Sequence, residues 1–304
     1  MVDHRSPSGA QTSGTFDALV HHRLDPGRVR RFVTPSRKTP IAAGRRAVAA
    51  LGDRRAAPNR SWLGSLTGKT AKALESVLGE ADRFEELERV VHATHLAHGR
   101  SFYAQFRAPL ELFALTRVLR PRHVVETGVS SGVSSLHFLL GLRANGGGNL
   151  HSVDFPTRQK GPTLGPNESP VALPPGLEPG WAVPEEYRDR WDLRIGRSQD
   201  LLPDLVEELP SVDLFLHDSH HTPAHLAFEL EAIRPKLSPG AVVLADNTVW
   251  TGDAFPQFAR ELGVRVARRG RSDLVGLRMP AERAASRPAR ATTPSRGRRS
   301  RSSR

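Results

Sequence analysis

The sequence contains no cysteine, which excludes disulfides, thiolate zinc sites and cysteine nucleophiles. No apolar run approaches the roughly 18 residues that a membrane-spanning helix needs. The N-terminus also lacks a hydrophobic segment of the secretory kind. A soluble, cytoplasmic protein without a membrane partner is therefore the expectation. Acidic residues are scarce at the two ends only. The chain of 304 residues carries a net charge of +12, which suggests a nucleic-acid partner until it is apportioned. Residues 1–60 hold 12 Arg/Lys against 4 Asp/Glu, and residues 280–304 hold 8 Arg against 1 Glu, leaving 61–279 at −3. This argues against a basic groove on the folded body and confines any nucleic-acid contact to the tails.

What is present divides the chain into three parts. Residues 1–60 mix Ser, Pro, Gly and Arg without sustained periodicity and read as a disordered extension, apart from a short helix over Ile41–Leu51. Residues 61–279 read as one domain that opens with a helical part, 61–120. There Leu66, Ala73, Leu74, Val77 and Leu78, and later Pro109–Leu119, show helical spacing. His92, His95 and His98 follow at i, i+3 and i+6. An exposed helix face is the favoured reading, because no carboxylate joins them at metal-ligand spacing. Strands are expected at His123–Glu126, Asn149–Val153, Trp191–Ile195, Val212–His217 and Ala241–Ala245, with helices between them. Val264–Ala267 and Leu274–Arg278 should form a closing hairpin. Alternating strands and helices predict an α/β, doubly wound, mainly parallel seven-stranded sheet with an antiparallel C-terminal hairpin and N-terminal helices. Residues 155–184 are dense in Pro and Gly and read as a flap near the site anchored by Trp181, with a plain surface excursion as the alternative. Residues 280–304 read as a disordered Arg/Ser tail.

The chain is organised around His123–Leu136, HVVETGVSSGVSSL. A β-branched run reaches Glu126, a tight turn carries Gly128 and Gly132, and a helix begins. Such a turn should present backbone N–H groups to a ligand and let it approach the two glycines. The spacing is not the Gly-x-Gly-x-x-Gly of a dinucleotide site, and an acid at the strand end suits a cationic head. Asp154 lies 22 residues after Gly132, near the interval at which α/β nucleotide folds place a carboxylate on a ribose diol. A helix cap or turn is the alternative for Asp154. Strand ends at Glu126, Asp154, Asp218 and Asp246-Asn247 should meet at one crevice, where such crowding of carboxylates calls for a cation, a diol or a base.

Over roughly Phe106–Met279 this order and spacing resemble a class I S-adenosylmethionine-dependent methyltransferase. Glu126–Ser134 is similar to the glycine motif of the cation-dependent O-methyltransferases of the catechol and caffeoyl-CoA type, and Asp246–Gly252 resembles their Asp-Asn-x-Leu-Trp-x-Gly signature. The resemblance implies a Rossmann-like methyltransferase fold and S-adenosylmethionine as cofactor. Glu126 would belong to the cofactor site, Gly128 and Gly132 would contact the methionine part and Ser134 its carboxylate. Asp154 would hold the ribose, Ser198 would lie by the adenine, and Asp218 would border the same pocket. Asp218, Asp246 and Asn247 would form an all-oxygen site suited to Mg²⁺ or Ca²⁺. Where those enzymes carry a lysine base this chain has His221, and neutral imidazole is a competent base near pH 7. Asp218–His221 also resembles an Asp-x-Asp-His pattern of a broader methyltransferase group, and either His220 or His221 could face the crevice. The implied activity is O-methylation of a small-molecule hydroxyl assisted by a divalent cation, with a homodimer compatible with it. The alternatives are a metal-independent methyltransferase with His221 as base, and a nucleic-acid-binding protein that uses its basic tails.

Overall fold

The computed structural model describes residues 58–84, 106, 108–156, 173, 176–270 and 272–281. The helix expected over Ile41–Leu51, the His92/His95/His98 group, most of the Pro/Gly-rich segment and residues 282–304 lie outside the described residues.

Two short helices open the described chain, each started by a polar cap. Asn59 Oδ1 accepts the Trp62 N–H at 2.9 Å to begin α1 (Arg60–Thr67), which Gly68 ends in the left-handed conformation. Thr70 caps α2 (Ala71–Gly79) in the same way. Helix α3 (Pro109–Leu119) has proline at its first position, where a missing N–H costs nothing, and stops at Arg120-Pro121. Then come β1 (His123–Thr127), α4 (Val133–Asn145), β2 (Asn149–Asp154), β3 (Trp191–Ile195), α5 (Ser198–Glu208), β4 (Val212–His217) and α6 (Pro223–Ile233). The chain closes with β5 (Leu237–Ala245), α7 (Ala254–Glu261), β6 (Ala267–Arg268) and β7 (Val275–Arg278).

The sheet has seven strands in the order β3-β2-β1-β4-β5-β7-β6. The first five are parallel, while β7 runs antiparallel to both β5 and β6. This is the doubly wound sheet expected. The hairpin is shorter than the apolar pattern suggested, because β6 holds only Ala267 and Arg268, and Val264–Val266 lie before it. The strand expected over Ala241–Ala245 begins earlier, at Leu237, and a register irregularity between Val212 and Leu214 carries it past Ser238–Gly240.

Strand alternation splits the core into two layers. Val124, Leu214, Leu216, Val242 and Leu244 pack with α1, α2, α3 and α4 on one face. Val125, Phe215, Val243 and Ala245 pack with α5, α6 and α7 on the other. A buried ion pair, Arg269 to Glu111 at 2.6 Å, ties the β6–β7 connection to α3, and Glu111 also accepts the Asn59 N–H. Burial of both charges is tolerable because each is paired and hydrogen-bonded.

Candidate active site

The register of the parallel strands sets the level at which their tips end. Thr127 stands opposite Val153 and His217, and His217 stands opposite Ala245. The ladder then runs one residue further: Gly128 N–H bonds Val153 O, Asp218 N–H bonds Thr127 O, and Asp246 N–H bonds His217 O, each at 2.9 Å. Residues 128, 154, 218 and 246 are thereby brought to one edge of the sheet, outside the carboxyl ends of β1, β2, β4 and β5, where ligands of open α/β sheets bind.

The glycine turn does not stand open in the way the sequence suggests. A side chain at Gly128 would meet the Asp218 carbonyl oxygen at 2.0 Å, and one at Gly132 would meet Val183 Cγ2 at 2.6 Å and Gly180 Cα at 2.9 Å. Both glycines, at φ 85° and 95°, make room for the chain's own backbone. The turn's N–H groups are also engaged. Val129 and Ser130 donate to Asp154 Oδ2 at 2.6 and 2.7 Å, and Gly132 donates to Val129 O. Asp154 thus braces the turn, a role that its separation from Gly132 did not reveal. Burial raises its pKa, and the two N–H donors counteract this.

Residues 180–183 lie along the same turn: Gly180 N–H bonds Ser130 O at 2.7 Å and Ala182 N–H bonds Ser131 O at 3.0 Å. Arg188 holds this strap through Gly180 O and Val183 O and sits over the Trp191 ring. Trp191 Nε1 donates to Ser152 Oγ, which donates to Glu126 Oε2; Ser135 Oγ donates to the same oxygen at 2.6 Å. Burial pushes the Glu126 carboxyl up to about 7 despite these hydroxyls and Ser134 nearby. Glu126 Oε1 and the Ser130 and Ser131 hydroxyls are buried and have no hydrogen-bond partner among the described residues. Orphaned polar atoms clustered around one turn are costly unless something meets them.

On the other side of β1, Asp218 Oδ1 lies 3.4 Å from His221 Nε2, and Asn247 Nδ2 lies 3.4 Å from the same nitrogen. Asn247 reaches this place through a left-handed φ of 52°. Asp218 and Asp246 are each raised to about 7, chiefly by burial; Asp154 adds to the shift at Asp218, and Asp218 to that at Asp246. Asp218, Asp246, Asn247 and His221 therefore form one cluster. His220 instead packs edge-on to His225, with ring centroids 5.4 Å apart, so His221 is the histidine beside the carboxylates. Among the described residues no three His, Cys, Asp or Glu side chains form a ready metal cage. A cation between Asp218 and Asp246 would rest on two carboxylates and an amide oxygen, with its other ligands from water or substrate. Hard cations accept that arrangement, and it would relieve the repulsion between the two acids.

Ser198 is the first residue of α5, and its hydroxyl lies 3.0 Å from His225 Nε2. Beneath the cluster sits Glu229, fully buried and bonded to Thr127, His217, Ser219 and His225. The sequence reading missed it. Its only signal there is the i, i+4 pairing with His225 on one helix, which is common on solvated faces.

Residues 125–248 match the model of a family described as a methyltransferase domain. No curated protein matches the chain. Among solved structures, an O-methyltransferase from Bacillus cereus in complex with S-adenosylhomocysteine is 16% identical, with a TM-score of 0.45 over 67% of this chain and 99% of that one. The O-methyltransferase TomG from Streptomyces achromogenes, in complex with S-adenosylmethionine, is 18% identical, with a TM-score of 0.44 over 65% and 90% of the two chains. The family match over 125–248 begins within β1 and ends just past β5, so it takes in the strand tips at which the site residues meet.

Proposed function

We propose that this methyltransferase domain moves the methyl group of S-adenosylmethionine to a hydroxyl of a small molecule, with a divalent cation held at Asp218, Asp246 and Asn247. The observation that carries the reading is the meeting of those three residues with His221 at the tips of β4 and β5, next to the glycine turn. Glu126 Oε1 would accept from the donor's ammonium group, and the Ser130, Ser131 and Ser134 hydroxyls would bond its carboxylate. Asp154, whose Oδ2 is committed to the turn, would use Oδ1 for the ribose. Ser198 would stand on the adenine side, where Phe155 is exposed.

A divalent ion held by Asp218, Asp246 and Asn247 would supply Lewis acidity toward an acceptor hydroxyl. His221 would take that hydroxyl's proton, and Asp218 would stabilise the imidazolium that results. The acceptor oxygen forms its bond to the methyl carbon as the carbon–sulfur bond breaks, and the sulfur keeps the electron pair. Val249 and Trp250, both exposed shortly after Asn247, would give the crevice an apolar lip suited to a ring-bearing acceptor such as a catechol or a sugar with neighbouring hydroxyls. The contact of His221 with Asp218 equally suits a metal-free route in which His221 alone activates the hydroxyl. Titration with S-adenosylhomocysteine by calorimetry tests the donor site, which Glu126→Gln should weaken. Chelation followed by Mg²⁺ add-back decides between the routes: turnover that survives chelation removes the cation, and loss of turnover restored by Mg²⁺ removes the metal-free route.

A further inference from the structure

The buried polar groups behind the site converge on a single carboxylate. Glu229 Oε2 accepts from Thr127 Oγ1 at 2.6 Å and from His217 Nδ1 at 2.6 Å. Its Oε1 accepts from Ser219 Oγ and His225 Nε2, both at 2.9 Å. The first three donors are chain neighbours of site residues: Thr127 precedes Gly128, His217 precedes Asp218, and Ser219 follows it. Because a carboxylate only accepts, His225 must carry its proton on Nε2, which leaves Nδ1 free to accept from Gln199 Nε2 at 3.1 Å. His225 Nε2 also touches Ser198 Oγ. Burial alone would raise the Glu229 carboxyl, but His217 and His225 more than offset it and hold it well below the usual range. It is an ionised group whose four bonds join the tips of β1 and β4, the turn after β4 and His225 one turn earlier on its own helix; His225 in turn contacts Ser198 and Gln199 at the start of α5.

We infer that Glu229 is a positioning residue that couples the two halves of the site: the α5 start at Ser198-Gln199 on the donor side, and Asp218–His221 on the cation side. The inference rests on the reading given above. Donor binding that orders Ser198 is transmitted through His225 and Glu229 to Ser219 and so to Asp218. By reciprocity, a cation at Asp218 tightens the donor. A group that served only to hold the fold together would weaken both ligands without changing how one depends on the other.

The test is a calorimetric cycle on the full chain, with S-adenosylhomocysteine and Mg²⁺ as probes, each titrated alone and in the presence of the other. In the parent protein Mg²⁺ should tighten S-adenosylhomocysteine by about 10-fold, a usual size for coupling between sites. In Glu229→Gln, whose amide turns one acceptor into a donor facing donors, that factor should fall to near 1 while both probes still bind. Ser219→Ala and Gln199→Ala cut one arm each, at a half-buried and an exposed position, and remain informative if Glu229→Gln does not fold. Each should lower the factor by about 2- to 3-fold, and Glu229→Asp should restore part of what Glu229→Gln loses. Equal weakening of both probes with an unchanged factor in these variants would overturn the inference, as would a parent protein that binds both probes independently. A parent protein that binds S-adenosylhomocysteine but no Mg²⁺ would overturn the cation reading directly, and the coupling with it.

Discussion

Three carboxyls of the site, those of Glu126, Asp218 and Asp246, are each raised to about 7, because burial penalises the charged form. In the unfolded chain they titrate near 4. Between about pH 4 and pH 7 the native state therefore holds protons that the unfolded state has released, and stability falls as pH rises through this window. Glu229 shifts the opposite way, and its contribution is already complete above the ordinary glutamate pKa, so it does not alter the trend. The ligand-free protein should melt higher at pH 5.5 than at pH 8, by on the order of 5 °C. Asp246→Asn should flatten that dependence and raise the midpoint at pH 8, while abolishing the stabilisation that Mg²⁺ gives the parent. Thermal melts at the two pH values, with and without Mg²⁺, check both arms. A variant as pH-sensitive as its parent would mean that the raised acid lies elsewhere.

The glycine turn, the strap over residues 180–183 and the tip of β4 are fitted to each other at the level of elements. At Gly128 an added methyl group would strike the Asp218 carbonyl and Ser219 Cα, backbone atoms just past the end of β4 that Asp218 N–H ties to Thr127 O. At Gly132 it would strike first the end of the Val183 side chain, and only then Gly180. Gly128→Ala should therefore cost about 3 kcal/mol or more, and Gly132→Ala clearly less, although both residues have positive φ. Urea unfolding of the two variants measures the difference. Equal costs would mean that φ strain rather than contact dominates. The strap matters here because Arg188 and Trp191 carry its position through Ser152 to Glu126, linking a segment far along the chain to the first strand.

For the whole molecule, charge and chemistry occupy different residues. The domain holding the site is slightly acidic, whereas residues 282–304 alone carry 8 Arg and 1 Glu. Removing them takes the net charge from +12 to +5 and should leave S-adenosylhomocysteine affinity unchanged within twofold. Any binding to RNA should weaken and lose much of its salt dependence, because each phosphate contact contributes to that slope. Calorimetry and salt-titrated RNA binding on the full and shortened chains test this. A loss of donor affinity would mean that the arginines serve the site itself. Among the described residues no helix is long and apolar enough to cross a membrane.

Local patterns determined much of this protein. Apolar runs and glycine or proline punctuation placed the five parallel strands and their helices to within a few residues, most plainly at β4 and β5, whose burial on both faces demands a near-continuous apolar run. The polar residues at the strand ends marked the crevice for the same reason: a chain leaving a buried strand is free to be polar. Register, which no single strand contains, decided the rest. It took tertiary packing to bring Asp218 against Gly128, to turn Gly132 toward the strap, to commit Asp154 to the turn, and to choose His221 over His220. Glu229 was invisible for the most physical of these reasons. A buried charge is recognisable only by partners gathered from distant parts of the chain, and Thr127 lies 102 positions away.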